Sequence, residues 1–122
     1  MKFVVIDPLR RVITQSEARD ARTAAVLHLS WPYAADEITD DHSFVYSPLA
    51  RLVPQASFFW SKRLGDVFAG RALVFGLTVD GVLTYADRGM ENALAEDVAF
   101  LGDAEATRRH VIELCKEGLI SF

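Results

Sequence analysis

The segment "RALVFGLTV", residues 71–79, has the strongest strand pattern in the chain and decides the expected fold. Successive side chains of a strand point to opposite faces of the sheet. One face carries Leu73, Phe75, Leu77 and Val79, and the other carries Ala72, Val74, Gly76 and Thr78. Both faces are largely apolar, which is typical of a central strand that is covered on both sides.

The segments on either side of this strand predict its neighbours. Asp80-Gly81 leads into "VLTY", residues 82–85, and Asp-Gly between two β-prone runs is a strong signal for a tight hairpin. Both turn residues are expected to take positive φ. On the other side, "ASFFW" at 56–60 predicts a strand and "SKRLGDVFAG" at 61–70 predicts a connection.

The N-terminal part of the chain predicts a hairpin followed by a helix. "KFVVI" at 2–6 and "RRVITQ" at 10–15 are β-prone, and Asp7 followed by proline favours a turn between them. Ser16 suits the N-cap of a helix through "EARDARTAAVLHL", residues 17–29, because its side-chain oxygen can accept a backbone N–H.

The other segments give weaker patterns, except at the C-terminal end. Residues 30–42 are expected to form a loop, 43–47 a short strand and 48–55 an irregular segment. "MENALAEDVAFLG", residues 90–102, predicts a helical turn and then a strand. Asp103 is expected to cap a helix that ends at Gly118, and "LISF" at 119–122 to form a last short strand.

These elements together predict an α+β fold with a mixed, mainly antiparallel sheet of about five or six strands and two packed helices. Residues 1–122 are expected to form a single domain, with residues 103–122 as a C-terminal helical extension. The composition agrees with a globular protein, because 51% of the residues are hydrophobic and 25% are charged.

Charge and cysteine content restrict the expected partners and compartment. The net charge of −4 disfavours binding to duplex nucleic acid, which needs a basic face. No apolar run is long enough to cross a bilayer, so no membrane partner is expected. The single cysteine, Cys115, fits a reducing cytoplasm and is expected to be a buried, inert side chain of the last helix.

Five short motifs spread over residues 2–101 resemble a known family. They are "VVIDP…R.I" near the N-terminus, then "FFW", "AGRALVFG", "DG" and "VAFL". In these residues the chain resembles a family of small proteins of unknown function that are encoded by bacterial phages, plasmids and other mobile elements. The resemblance implies an accessory protein of a mobile element. It implies no activity, and no functional residues carry over from it.

Basic residues around the glycine-rich connection are candidates for an anion site. Gly65 and Gly70 have the spacing of a phosphate loop, but Arg71 and Ala72 replace its lysine and hydroxyl, and a strand follows instead of a helix. We therefore predict no nucleotide loop and no cofactor.

A smaller anion site is predicted from Lys62, Arg63 and Arg71, with Arg51 as a further member, because arginine binds carboxylate or phosphate through its planar fork. The competing interpretation is a solvated basic loop.

An acidic segment offers an alternative site. Asp36, Glu37, Asp40, Asp41 and His42 supply oxygen ligands and an imidazole, but their spacing does not match a calcium-binding loop. A weak divalent site would use Asp40 and His42, although we expect a solvated segment and no metal. The three histidines form no recognisable triad with a serine motif.

The aromatic cluster predicts a partner surface. Phe58 and Trp60 share one face of a strand and Phe59 lies on the other. Lys62 and Arg63 follow at once, which indicates that the strand leaves the core near Trp60. We therefore predict that Phe59 is in the core and that Trp60 is partly accessible on a rim. That rim, with both basic residues, is a candidate partner surface.

The sequence and the resemblance together therefore predict a non-catalytic, cytoplasmic accessory protein that acts through a protein or small-ligand surface, and its place in a mobile genetic element is implied by the resemblance alone. Its predicted binding residues are Trp60, Lys62, Arg63 and Arg71. One alternative is a small enzyme or metal-dependent binder that uses the acidic segment at 36–42. A weaker alternative is single-stranded nucleic-acid binding, with bases stacked on Trp60 and Phe58 beside the basic loop. The sequence does not decide whether the protein is an enzyme, and it indicates neither the partner nor the oligomeric state.

Overall fold

The computed structural model describes residues 1–118, which form nine strands, three α-helices and one 3-10 turn at Ala50–Leu52. The strands are β1 (Lys2–Asp7), β2 (Val12–Glu17), β3 (Ala34–Thr39), β4 (His42–Tyr46), β5 (Phe58–Ser61), β6 (Asp66–Ala69), β7 (Ala72–Leu77), β8 (Leu83–Thr84) and β9 (Val98–Gly102). The helices are α1 (Ala21–His28), α2 (Met90–Asp97) and α3 (Ala104–Lys116).

The strands form two antiparallel sheets. The large sheet has six strands in the order β2-β1-β7-β4-β3, with β8 paired to the end of β7. The small sheet has the order β6-β5-β9. The predicted α+β fold with a mainly antiparallel sheet of about five or six strands is therefore confirmed. The small sheet and a third helix were not predicted.

Strand β7 lies at the centre of the large sheet and is buried on both faces. Val74 pairs with Val4 of β1 on one side and with Phe44 of β4 on the other. Leu73 and Phe75 pack with Phe3, Val5 and Ala24 of α1. Ala72 and Val74 pack in the second core cluster, with Phe59, Phe68, Met90 and Leu94. The predicted double coverage is therefore confirmed: α1 covers one face, and the small sheet and α2 cover the other.

The hairpin between β7 and β8 forms where Asp-Gly predicts it. The N–H of Thr78 donates to the carbonyl of Val82 and the N–H of Gly81 to the carbonyl of Thr78, both at 2.9 Å. Gly81 has φ +82, as predicted, but Asp80 does not have positive φ. This part of the prediction is wrong because the loop has three residues, Val79 to Gly81, and only the last takes the left-handed conformation.

Helix α1 begins later than predicted. Strand β2 continues to Glu17, because Ser16 and Glu17 pair with Phe3 and Lys2 of β1. The N-cap is therefore Asp20 and not Ser16: its Oδ1 accepts the N–H of Thr23 at 2.7 Å.

Two strands lie where a loop and a connection were predicted. Strand β3 occupies residues 34–39 and pairs with β4, for example Ala35 with Val45. It lies at the edge of the large sheet, and its charged, exposed side chains resemble those of a loop. Strand β6 lies within residues 61–70 and pairs with β5, with Phe68 opposite Phe59.

The C-terminal predictions are largely confirmed. Helix α2 leads into β9, and Asp103 caps α3 because its Oδ1 accepts the N–H of Ala106 at 2.9 Å. Cys115 is only partly buried, so its predicted burial is wrong in degree. The strand predicted at 119–122 lies outside the described residues. Within residues 1–118, no helix is long and apolar enough to cross a membrane.

Candidate functional site: the Arg71 cleft

Two adjoining cavities lie at the end of the large sheet where β1 ends and β7 begins. The first has a volume of about 220 Å³ and extends under the turn after β1, along Pro8 and Leu9. The second, of about 250 Å³, reaches the end of α1 at His28. Both cavities are lined by Ala56, Gly70 and Arg71. We call the two cavities together the Arg71 cleft.

The fold brings these segments together through the antiparallel pairing of β1 and β7. Ile6 pairs with Ala72, so Asp7 at the end of β1 lies beside Arg71 just before β7. Gly70 precedes the strand with φ +74, a conformation that favours glycine. The opposite wall is the segment 50–57, in which Gln55 takes the left-handed conformation with φ +67, a strained position for a residue with a side chain.

Arg71 connects an acidic and an imidazole side chain. Its Nε lies 3.5 Å from Oδ2 of Asp7, and its Nη1 lies 3.3 Å from Nδ1 of His28. Asp7 is only 5% exposed. Its Oδ1 accepts the backbone N–H groups of Leu9 and Arg10 at 3.1 and 3.3 Å. The hydrogen bonds from the turn and the ion pair with Arg71 thus offset the free-energy cost of burying this carboxylate.

His28 is held in its neutral form. Partial burial lowers its pKa most, the positive charge of Arg71 lowers it further, and Asp7 acts in the opposite direction. Because a guanidinium only donates hydrogen bonds, Nδ1 of His28 must accept from Arg71. The proton of the neutral ring is therefore on Nε2.

Arg71 keeps donors available for a ligand. Within residues 1–118, its ion pair uses Nε and its hydrogen bond uses Nη1, which leaves Nη2 without a partner. The side chain is 38% exposed, so part of it is open to solvent. A guanidinium recognises carboxylate and phosphate groups through hydrogen bonds along its planar edges.

Two exposed apolar side chains line the cleft. Leu9 and Val53 are 76% and 58% exposed. Trp31 is 80% exposed and directly follows Ser30, which lines the second cavity. Leu52, beside Val53 in the chain, is also exposed. Of these residue types, tryptophan and arginine are enriched among those that contribute most to binding energy at interfaces.

The hydroxyl groups of the cleft are not arranged for nucleophilic catalysis. Oγ of Ser47 donates to the carbonyl of Ser30 at 2.6 Å and accepts its N–H at 2.9 Å, so both of its roles are filled. No hydroxyl within residues 1–118 hydrogen bonds to His28, whose ring contact is Arg71. An activated nucleophile needs a base within hydrogen-bond reach.

The structure divides the predicted basic set. Lys62 and Arg63 lie in the exposed turn after β5, where the N–H of Arg63 donates to Oδ1 of Asp97 at 2.7 Å. Arg71 lies instead against Asp7 and His28. Arg51 lines a third cavity with Asp66. The prediction of one joint anion site is therefore wrong, while binding by Lys62 and Arg63 at their own surface stays a prediction.

The aromatic prediction is half right. Phe59 is fully buried, as predicted, but Trp60 is only 9% exposed, so its predicted accessibility is wrong. The reason is strand β9, which pairs with β5 and places Ala99 opposite Trp60. Strand β5 is therefore the centre of the small sheet, and α3 packs against it. A base has little accessible ring surface at Trp60 on which to stack.

The acidic segment contributes to a cluster of Asp41, His42 and Asp87, whose potential ligand atoms all lie within 4.8 Å of one another. Nε2 of the buried His42 accepts the backbone N–H of Asp87 at 3.1 Å. Nδ1 therefore holds the proton and donates to Oδ1 of Asp41 at 2.9 Å. Hydrogen bonds to the Thr39 hydroxyl and to His42 lower the pKa of Asp41.

This cluster is better explained as a structural connection than as a metal site. Both ring nitrogens of His42 are already in use, and a metal ion would need to displace the N–H of Asp87. Asp40, the predicted partner of His42, is not part of the group, and Asp87 takes a place that the sequence did not indicate.

Sequence reasoning missed Asp7 and His28 as members of a site. Asp7 has the pattern of a turn residue, and His28 stands far from any motif. The pairing of β1 with β7 is the signal that would have found the first of them, because it places the end of one strand beside the start of the other.

Comparisons of the chain with protein families, curated proteins and solved structures find no match. The resemblance to proteins of mobile elements therefore stays a prediction, and the functional argument depends on the geometry of the Arg71 cleft.

Proposed function

We propose that the protein is a non-catalytic binding protein and that the Arg71 cleft is its binding surface. One observation carries this proposal: a guanidinium whose Nη2 has no hydrogen-bond partner within residues 1–118 lies in a concave site that is lined by the exposed Leu9 and Val53. A cytoplasmic accessory role for a mobile element belongs to the same proposal and rests on the resemblance alone.

The size of the cleft suits a small ligand or a single inserted side chain of a partner. The cavities of about 220 and 250 Å³ share one wall and together reach the lower part of the range of small-molecule sites, ~300–1,000 Å³. Such sites are mostly apolar, with a few polar groups that fix the orientation of the ligand. Pro8, Leu9 and Val53 supply the apolar surface, and Arg71 supplies the orienting donor.

Binding is favoured over catalysis because the ionisable groups of the cleft contact one another. Asp7 is held by its turn and by Arg71, and His28 is held by Arg71. Arg71 stays protonated in proteins and therefore cannot act as a general base.

A fragment screen followed by NMR of the ¹⁵N-labelled chain tests the proposal. Bound fragments should shift the amide signals of residues 7, 9, 28–30, 53, 55–57 and 70–71. Arg71→Gln should remove these shifts. Arg63→Gln is the matched control, because it makes the same chemical change at an exposed arginine outside the cleft.

The control also separates the two predicted surfaces. Fragments that shift signals near Lys62 and Arg63, and lose them in Arg63→Gln, would contradict the proposal and restore the surface predicted from the sequence. A library that shifts no signals around the Arg71 cleft would contradict it as well.

A further inference from the structure

We infer that the ligand of the Arg71 cleft is a monoanionic carboxylate with a small apolar body, and that its binding transfers a proton from solvent to His28. This inference rests on the proposed function and adds the chemical class of the ligand and its linkage to pH.

The groups that face His28 determine the charge balance. Arg71 approaches from the start of β7 and Asp7 from the end of β1, and the ring of Phe3 meets the imidazole edge-on at 5.7 Å. From segment 50–57, the cavity wall shared with His28 carries Ala50, Val53 and Ala56, which are uncharged. Arg10 lies 4.0 Å from Asp7 but is 74% exposed, so water and salt screen its charge.

In the free cleft, Asp7 balances Arg71 and His28 is neutral. A carboxylate at Nη2 of Arg71 adds one negative charge beside the imidazole. An opposite charge at close range favours the protonated form of histidine. The proton enters at Nδ1, which then no longer accepts from Nη1 of Arg71. Protonation therefore releases Nη1 and turns Nδ1 into a donor, so two further donor groups become available beside Nη2.

The chemistry of the site favours a carboxylate over a phosphate. A carboxylate is planar and matches the two parallel N–H groups of a guanidinium edge. A phosphate would bring a second negative charge close to the buried carboxylate of Asp7, which already pairs with the same arginine. Like charges in one site destabilise each other.

The walls next to Arg71 determine the body of the ligand. Pro8, Leu9 and Ala56 line the first cavity, which has a volume of about 220 Å³. An apolar protein cavity of ~150 Å³ accommodates benzene, so one aromatic ring or a short alkyl chain fits. The exposed Leu9 and Val53 extend this apolar surface toward solvent.

The test compares ligands that share a body and differ in charge. We would titrate the full ¹⁵N-labelled chain with 3-phenylpropanoate, 3-phenylpropanamide and inorganic phosphate, and follow the amide signals of the cleft. The carboxylate should bind about tenfold more tightly than the amide, because charge-assisted hydrogen bonds are the stronger class. Phosphate should not shift these signals. Equal affinities for acid and amide would overturn the ligand class but leave the proposed binding function intact.

The proposed uptake of a proton is tested by measuring the titration of His28. Imidazole ¹⁵N shifts, assigned with His42→Gln and His110→Gln, give its titration with and without saturating 3-phenylpropanoate. The ligand should raise the pKa of His28, and its affinity should fall as the pH rises from the pKa of His28 in the free protein to the pKa in the complex. In His28→Gln, an amide oxygen can still accept from Arg71, and the pH dependence of affinity should vanish. An unchanged titration of His28 would overturn the proton transfer. If none of the three compounds shifts the amide signals of the cleft, the inference fails. The fragment screen then decides separately whether the cleft binds ligands of another chemical class.

Discussion

The backbone N–H of Asp87 donates a hydrogen bond of 3.1 Å to Nε2 of His42 and so connects residues that are 45 positions apart. His42 is 2% exposed, and its other nitrogen contacts Asp41. Replacement by leucine would leave the Asp87 N–H without its partner. We expect His42→Leu to lower the free energy of unfolding by ~1–3 kcal/mol. Urea unfolding should show a smaller loss for His42→Gln, which retains an acceptor, and equal losses would contradict this role.

The same hydrogen bonds predict how the cluster responds to metal. Since both nitrogens of His42 are engaged, Zn²⁺ has no free imidazole lone pair to bind there. Neither Zn²⁺ nor a chelator should change the melting temperature of the protein, because a tightly bound ion would stabilise the folded state by mass action. A rise in melting temperature with Zn²⁺ that disappears in Asp87→Asn would show that the cluster is a metal site.

Trp60 and Trp31 should differ sharply in fluorescence. Trp60 is 9% exposed and Trp31 is 80% exposed. In Trp31→Phe, the remaining emission should be blue-shifted and resist quenching by acrylamide. In Trp60→Phe, it should be red-shifted and readily quenched. Strong quenching of Trp60 would show that this side chain is accessible to solvent, as predicted from the sequence.

Phe59 provides the matching stability test of the core. It is fully buried and packs against Phe44 and Phe68, with ring centroids 6.1 and 5.6 Å away. Phe59→Ala should cost ~3–5 kcal/mol of unfolding free energy, as large core truncations do. Phe58→Ala, next to it and less buried, is the control and should cost clearly less. If chemical denaturation shows similar losses of unfolding free energy for Phe59→Ala and Phe58→Ala, Phe59 is not the more important core residue of the two.

The three-residue turn after β7 gives a conformational test. Gly81 has φ +82 and no neighbouring atoms within 4 Å of a built Cβ, so the penalty for a side chain is conformational and not steric. Gly81→Ala should cost ~1–3 kcal/mol. Asp80→Ala, in the same exposed turn without positive φ, should stay within about 0.5 kcal/mol of the wild type. Equal unfolding midpoints for both variants would contradict this turn geometry.

The stability of the free protein should depend on the titration of His28. Burial and Arg71 lower its pKa in the folded state below the ordinary value of 6.5. Between the two values the unfolded chain binds more protons, so stability rises with pH in this window. The contribution is present above pH 6.5 and is lost as the pH falls toward the lowered pKa. In thermal unfolding, His28→Gln should reduce the slope in this window, and an unchanged slope would assign the effect to other groups.

Local pattern determines how much of this structure is predictable. Strand β7 was predictable because alternating side chains fill two cores, as Leu73 and Val74 do. Strand β3 was not, because an edge strand with Asp36 and Glu37 facing solvent has the composition of a loop. The burial of Trp60 was not predictable because it depends on pairing with β9, a strand from a distant part of the chain.

The candidate site was only partly predictable for the same reason. Arg71 could be singled out because its residue type carries binding chemistry. Its partners could not, because Asp7 and His28 reach it through the pairing of β1 with β7 and through the packing of α1, which neither residue signals locally.

The position of β7 between β1 and β4 also determines the order in which the chain can assemble. Strands β1 and β2 form one hairpin and β3 and β4 another, and each can close from neighbouring sequence. The two hairpins meet only through β7. We therefore expect the edges of β1 and β4 to stay unpaired during synthesis until residues 72–77 have left the ribosome. Such edges are templates for pairing between chains. We expect a chain that stalls before this strand to be the most prone to aggregate, because the insertion of one six-residue segment pairs the inner edges of both hairpins at once.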